Sequence, residues 1–142
     1  MSNHIVNSDA KPFTREGWSV DEHRKSGQID LSTIALDLWL AEGQKSRYIE
    51  GHRLHMLLNN EAVLNATVLD HLLKHPELIP EEWYGQDKFV FFWGTIYRSP
   101  SGRLFVRCLT GLNGKWSSVP DWLGNYWSSA RPAAVLASWP LL

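Results

Sequence analysis

The chain has 142 residues, of which 44% are hydrophobic and 20% charged, and its formal net charge is −1. The length predicts one domain around one core, and the near-zero net charge argues against a dedicated binder of nucleic acid or of anionic membranes. The single cysteine excludes an internal disulfide. No apolar run approaches the roughly 18 residues that span a bilayer, so we expect a cytoplasmic protein.

Residues 1–29 are polar and show no periodicity, which predicts a flexible N-terminal arm. Phe13 and Trp18 are the exceptions, and we expect them to dock on the body of the protein or on a neighbouring molecule. Residues 30–142 are expected to form a single α+β domain.

Helical periodicity follows the arm. Asp30 is a suitable N-cap, and the apolar stripe of Leu31–Glu42 predicts the first helix. Further helical segments are predicted at Gly51–Asn59, between the N-cap Asn65 and Pro76, for one turn at Pro80–Gly85, and at Pro132–Ser138.

From Lys88 onward the pattern becomes that of strands. Three strands are predicted, joined by turns at Ser99–Gly102 and Asn113-Gly114: Phe89–Arg98, Arg103–Thr110 and Lys115–Val119. The predicted fold class is therefore α+β, with the N-terminal helices packed on a three-stranded antiparallel β-meander.

The register of this meander follows from its turns if Arg98 pairs with Arg103 and the second hairpin closes at Asn113-Gly114. Both faces are then apolar. The first face is expected to be the core under the helices, and it carries Phe89, Phe91, Trp93, Thr95, Tyr97, Leu104, Val106, Cys108, Ser117 and Val119. The second face mixes arginine with aromatic residues, and it carries Val90, Phe92, Gly94, Ile96, Arg98, Arg103, Phe105, Arg107, Leu109, Trp116 and Ser118.

Tryptophan is unusually frequent, with eight in the chain and five of them between positions 83 and 127. Such a cluster marks either a thick core or a recognition surface. The aromatic segment Trp122–Trp127 is expected to fold back over the second face. The candidate binding residues on or over that face are Phe92, Arg98, Arg103, Phe105, Arg107, Trp116, Trp122 and Trp127.

Two apolar sheet faces on a small chain leave more apolar surface than one layer of helices can cover. The first interpretation is therefore a non-enzymatic protein-interaction module, or one that self-associates. The alternative is a module for single-stranded nucleic acid, because arginine beside exposed aromatic residues can hold phosphates and stacked bases. A small metal- or carboxylate-dependent hydrolase is the second alternative.

Residues with catalytic or metal-binding chemistry are sparse. His71 and His75 stand four positions apart on one predicted helix, a spacing that holds zinc only with further ligands, and we expect no cofactor. Cys108 lies mid-strand on the core face without an activating base. An acidic group beside two aromatic residues could form a carbohydrate site, although the helix dipole also explains it: Glu77, Glu81, Glu82 and Asp87 beside Trp83 and Tyr84.

Several segments resemble short bacterial open reading frames without an assigned function. They are His75–Trp83 (HPELIPEEW), Phe92–Arg98 (FWGTIYR), Val106–Leu109 and Pro132–Ala137. The resemblance spans roughly residues 61–138 and implies a small bacterial protein. It carries no catalytic residue, ligand or partner over to this chain.

Overall fold

The computed structural model of the protein describes residues 3–137, without the side chains of residues 86 and 87. Within that range no helix is long and apolar enough to cross a membrane. The strands are β1 Ile5–Asn7, β2 Ser19–His23, β3 Gln28–Asp30, β4 Leu36–Trp39, β5 Ile49–Glu50, β6 Gly85–Phe91, β7 Thr95–Arg98, β8 Leu104–Leu112, β9 Lys115–Trp122, β10 Tyr126–Trp127 and β11 Ala133–Leu136. The α-helices are α1 Gly51–Leu57 and α2 Ala66–Lys74, and single 3₁₀ turns lie at Glu42–Gln44, Pro76–Leu78 and Glu81–Trp83.

Seven strands form one mixed sheet around β8, which pairs with β7 and β6 on one side and with β9 on the other. β2 extends the sheet beyond β7, and β11 followed by β4 extends it beyond β6. β1 with β3, and β5 with β10, form two small sheets. The predicted fold class, α+β with N-terminal helices on a three-stranded meander, is therefore wrong. Segments from both ends of the chain add strands to the meander instead of packing on it as helices.

The hairpin predicted at Asn113-Gly114 is confirmed. Leu112 pairs with Lys115 across the turn, and the two turn residues have positive φ angles of 54° and 77°, as a type I′ turn requires. The faces predicted for β8 and β9 follow from this closure, so Leu109 and Ser118, which are cross-strand partners, share the second face.

The first predicted strand is broken between β6 and β7. Phe91 pairs with Cys108, and Tyr97 pairs with Phe105. The chain therefore advances six positions across the break, from Phe91 to Tyr97, while β8 advances only three. An odd number of extra residues exchanges the two faces beyond the break. As a result Ile96, and not Tyr97, contributes to the core on the first face.

The predicted pairing of Arg98 with Arg103 is therefore wrong by one residue, because Arg98 pairs with Leu104. Arg98 lies on the same face as Leu104, which packs against the first-face core, and so on the opposite face from Arg107. Gly94 sits in the break against α2, where a Cβ atom would lie 2.8 Å from the Asn65 backbone.

Two segments predicted as helices, 31–42 and 132–138, contain strands that pair with each other. β4 and β11 run antiparallel, with Trp39 opposite Ala133. Successive residues of a strand pack into the cores on opposite faces of the sheet, as with Ala134 on one side and Val135 on the other. β11 is buried on both faces and apolar throughout, and β4 is apolar except at the exposed Asp37. Over so short a window, neither pattern differs from the apolar stripe of a helix. Residue 138 lies outside the described residues.

The hydrophobic core has two parts, one on each face of the sheet. The first core includes Leu54 of α1 with Phe91, Trp93, Val106 and Trp127. The second core lies under α2 and the N-terminal residues, and its members include Val6, Ile29, Leu69, Leu72, Val90, Phe92 and Leu109. The helices are thus divided between the faces, whereas the sequence places them all on the first.

The N-terminal residues belong to this architecture. β1 pairs with β3, β2 pairs with β7, and Val6 and Ile29 are buried in the second core. Residues 3–29, predicted to be a flexible arm, are therefore paired with and packed on the remaining chain, and the predicted boundary at residue 30 falls at the end of β3. Residues 1–2 and 138–142, the ends of the predicted arm and domain, lie outside the described residues.

Asn65 joins these residues to α2. Its side-chain oxygen accepts from the amides of Thr67 and Val68, which confirms the predicted N-cap. Its side-chain nitrogen donates to the carbonyl oxygens of Ser8 at 2.9 Å and Arg24 at 2.8 Å. One buried side chain therefore caps the helix and holds two N-terminal segments, at Ser8 and Arg24, against it.

Candidate binding site

A cavity of about 90 Å³ lies on the second face of the sheet, where the N-terminal residues cross β7, β8 and β9. We call it the Arg107 cavity. It is lined by Phe13, Arg15, Trp18, Tyr97, Arg107, Ser118 and Pro120. Its volume is that of about three water molecules.

The outer wall of the cavity is the backbone and ring of Phe13, fixed at two points. The Phe13 amide donates to Asp70 Oδ2 of α2 at 2.7 Å, and its carbonyl oxygen accepts from the Tyr97 hydroxyl at 2.7 Å. The Phe13 side chain nevertheless stays 64% exposed. A fixed backbone with an exposed ring is an arrangement suited to contact with a ligand.

A tight turn over Arg15–Trp18 forms the second wall. The Trp18 amide donates to the Arg15 carbonyl oxygen at 2.9 Å, and Gly17 has φ of 84°, which the third position of a type II turn needs. The turn brings the Arg15 guanidinium to 5.3 Å from the Trp18 ring. Trp18 in turn meets Phe105 edge-on at 4.9 Å.

The floor of the cavity is the Arg107 side chain, whose exposed fraction is only 12%. Nη1 lies 2.9 Å from Asp70 Oδ1 and donates to the Tyr97 hydroxyl at 3.3 Å. Within the described part of the chain, Nε and Nη2 make no hydrogen bond. Arg107 thus keeps donors for a further acceptor, held in place by its ion pair.

Ser118 of β9 lies next to Arg107 in the lining of the cavity. Its Oγ atom is buried and has no hydrogen-bond partner among residues 3–137. A buried hydroxyl without a partner costs roughly 1–3 kcal/mol. The oxygen is closed off from the open space of the cavity as it stands, so it can meet a ligand only after the Ser118 side chain rotates about χ1.

The remaining polar group, the Tyr97 hydroxyl, acts as a donor. Burial raises the pKa of Tyr97 above its ordinary value, and the hydrogen bond from Arg107 offsets this rise in part. The phenol is therefore neutral at pH 7 and donates to Phe13. Its single proton is donated to Phe13, so the donors that the cavity offers to a ligand are those of its arginines.

The lining offers no activated nucleophile within the described residues. Ser118 Oγ has no base to accept its proton. Cys108 lies in the first core, on the other side of the sheet, and burial raises the pKa of its thiol to about 11. The interpretation of Cys108 as a buried small hydrophobic residue agrees with both observations.

The three arginines predicted to share one binding face do not converge. Arg98 pairs with Asp21 of β2 at 2.7 Å, and the Arg103 guanidinium lies over the Trp122 ring at 4.6 Å. Of these three arginines, only Arg107 lines the cavity.

The predicted aromatic residues are divided in the same way. Phe92 is buried under α2, and Trp127 is buried in the first core with Phe91 and Trp93, so the prediction that Trp127 covers the second face is wrong. Trp116 packs edge-on against Tyr84 at 5.4 Å. Tyr126 stays 61% exposed. The second face is covered by α2 and the N-terminal residues, and not by the segment after β9.

His71 and His75 lie with ring centroids 4.7 Å apart on α2. His71 Nε2 is 2.7 Å from the Asn3 carbonyl oxygen, and His75 Nδ1 is 3.8 Å from Glu77 Oε2. Among the described residues, no group of three or more potential ligands is placed to hold a metal ion.

The acidic residues near Trp83 do not form a site around that ring. Trp83 is 1% exposed and packs on Phe92 in the second core, so it offers no face for stacking a sugar. Glu81 and Glu82 are exposed on the 3₁₀ turn. The side chain of Asp87, which was grouped with them, lies outside the description.

Sequence reasoning places Arg107 in the site but misses most of its neighbours. The sequence pattern predicts Tyr97 on the first face and Ser118 on the second face without a role. Phe13 and Trp18 carry a usable signal, since they are the large aromatic residues of a polar segment and are predicted to dock. The docking position on Arg107 depends on contacts between residues 57 and 84 positions apart.

Comparison of the chain with protein-family models, with curated proteins and with solved structures found no match. The geometry of the Arg107 cavity therefore carries the functional argument.

Proposed function

We propose that the protein is a non-enzymatic module that binds a protein partner at the Arg107 cavity. The observation that carries the proposal is the pair of arginine side chains that line the cavity, Arg15 and Arg107, beside the exposed ring of Phe13. Aromatic residues and arginine are the side chains that contribute most to protein interfaces.

The cavity is better suited to a protein side chain or terminus than to a nucleic-acid base. Its volume of about 90 Å³ is smaller than the roughly 150 Å³ that holds one benzene molecule. Phe92, the ring nominated for stacking, is fully buried. Arg98 and Arg103 are directed elsewhere, so a phosphate chain crossing the cavity would meet few of the arginines that nucleic-acid binding needs.

Pairing of strands between two copies is disfavoured at the edge formed by β9. Leu123 donates its amide to Leu104 of β8, so alternation places the amide position of Pro120 on the outer edge. Proline has no N–H to donate there, which is a common protection of sheet edges. This supports a partner that binds through side chains at the cavity over one that adds a strand at this edge.

A selection from a random peptide display library tests the proposal. We expect the wild type to enrich a family of peptides whose binding is lost in Trp18→Ala, which removes a wall of the cavity. The matched control is Tyr126→Ala, which removes an exposed aromatic ring away from the cavity and should retain binding. Both variants are first shown by melting to be folded. Absence of enrichment, or enrichment that Trp18→Ala leaves intact, contradicts the proposal.

A further inference from the structure

The chemistry of the Arg107 cavity identifies the group that the partner inserts. Resting on the function proposed above, we infer that the cavity binds a single carboxylate, carried by an acidic side chain or the C-terminus of the partner. The inference depends on charge, size and the arrangement of donors.

The charge of the lining matches a monoanion. Two guanidinium groups face the cavity, those of Arg15 and Arg107, and the second is already paired with Asp70 at 2.9 Å. Arg15 makes no ion pair within the described residues and contacts Trp18. One positive charge is thus uncompensated, which fits a carboxylate better than a doubly charged phosphate ester.

The size of the cavity is consistent with the end of a side chain. A volume of about 90 Å³ accommodates a carboxyl group with one or two methylene groups, judged against roughly 30 Å³ for each liquid water. The apolar rings of Phe13 and Trp18 line the cavity and would pack against these methylenes.

The donors form a pattern that one carboxylate can satisfy. Arg107 has Nε and Nη2 without partners in the described chain, and the pair has the fork geometry that matches two carboxylate oxygens. Ser118 Oγ is buried and has no partner among the described residues, and rotation of this side chain about χ1 would turn its hydroxyl toward the bound carboxylate. A neutral amide would place an N–H group against these donors, so the cavity should discriminate strongly between an acid and its amide.

Nitrogen-15 NMR titration of the full chain tests the inference with three small probes: sodium propionate, propionamide and inorganic phosphate. We expect propionate to shift the indole signal of Trp18 and the amide signal of Ser118 in a saturable way. Ser118→Ala should weaken propionate binding about tenfold, the usual effect of losing one hydrogen bond to a charged group. Arg15→Gln should also weaken it, and Arg103→Gln, which removes an arginine outside the cavity, should not.

Three results overturn the carboxylate assignment: no saturable shift up to roughly 0.1 M propionate, equal binding of propionamide, or tighter binding of phosphate. Peptides recovered in the display selection identify the source of the carboxylate. Amidation of the C-terminus abolishes binding if the terminus is bound, and replacement of acidic residues by their amides abolishes it if a side chain is bound. Peptides that tolerate both changes refute the carboxylate inference and leave the proposed function standing. Propionate binding without any selected peptide refutes the proposed function alone.

Discussion

The hydroxyl of Tyr97 donates a hydrogen bond of 2.7 Å to the backbone carbonyl oxygen of Phe13, across 84 positions of sequence. This contact fixes the N-terminal residues on the second face of the sheet. It also closes one side of the Arg107 cavity, so the same bond serves the fold and the candidate site.

The N-terminal residues should therefore contribute to stability. Deleting residues 1–27 removes β1 and β2, uncovers the second core where Val6 was buried, and leaves Tyr97 without its acceptor. We expect the melting temperature to fall by about 10 °C or more, equivalent to several kcal/mol for a chain of this size. Calorimetry measures the change, and a melt within about 2 °C of wild type would show that these residues are an arm after all.

Asn65→Asp separates the two roles of Asn65. Aspartate caps a helix as well as asparagine does, so a residue that served only as N-cap would tolerate the change. The variant loses both donor bonds, however, and places a carboxylate against the carbonyl oxygens of Ser8 and Arg24. We expect a loss of about 1–3 kcal/mol in urea unfolding at pH 7. An unchanged midpoint would mean that the amide does not hold the N-terminal segments.

Trp93→Ala should be among the most damaging single changes in the first core. Trp93 is fully buried between His55 and Trp127, and a large-to-small change of this kind costs about 3–5 kcal/mol. Its indole N–H has no hydrogen-bond partner in residues 3–137, so the loss arises from packing. Tyr126→Ala, at a 61% exposed position, is the control and should unfold within roughly 0.5 kcal/mol of wild type.

Glu50 should make the stability of α1 depend on acid pH. Its hydrogen bond with His52 is the main cause that lowers the pKa of Glu50, with the amides of His52 and Arg53 adding to it. A carboxyl group whose pKa is lower in the folded state than in the unfolded chain stabilises the fold at pH values above its unfolded-state pKa. This stabilisation is lost as the pH falls through the folded-state pKa.

Glu50→Gln should therefore lower the melting temperature at pH 7, and the difference from wild type should shrink below about pH 4. Glu16→Gln, at an exposed position, serves as the matched control and should melt like wild type at both pH values. A Glu50→Gln difference that stays constant from pH 7 to pH 3 would contradict the assigned cause.

Local signals in the sequence predict local structure in this protein. The N-cap at Asn65 and the turn at Asn113-Gly114 are each specified by side chains within a few positions, and both are confirmed. β4 and β11 are missed because each is stabilised by the other across 94 to 100 positions of sequence, and neither has a period that distinguishes a strand from a helix.

The candidate site was predictable only in part for the same reason. Arg107 and Ser118 were assigned to the correct face because the second hairpin fixes their register. The break near Gly94 moves Tyr97 to the opposite face of the sheet, and no nearby residue predicts how many residues the break contains. The walls of the cavity come from residues 13–18, whose position depends on Asp70 and Tyr97, and such long-range contacts leave little trace in composition or periodicity.

Site-specific photo-crosslinking tests the central claim, that a protein partner binds at the Arg107 cavity, most directly. Glu16, an exposed neighbour of the cavity that does not line it, is replaced by p-benzoylphenylalanine in the full chain, and Tyr126 is replaced in the same way as the control position. In cells that naturally express the protein, we predict a discrete protein adduct from position 16. Ser118→Ala and Trp18→Ala should both diminish this adduct, and the crosslink should map to an acidic residue or the C-terminus of the partner. Adducts that arise equally from position 126, or that persist in both cavity variants, would contradict the claim.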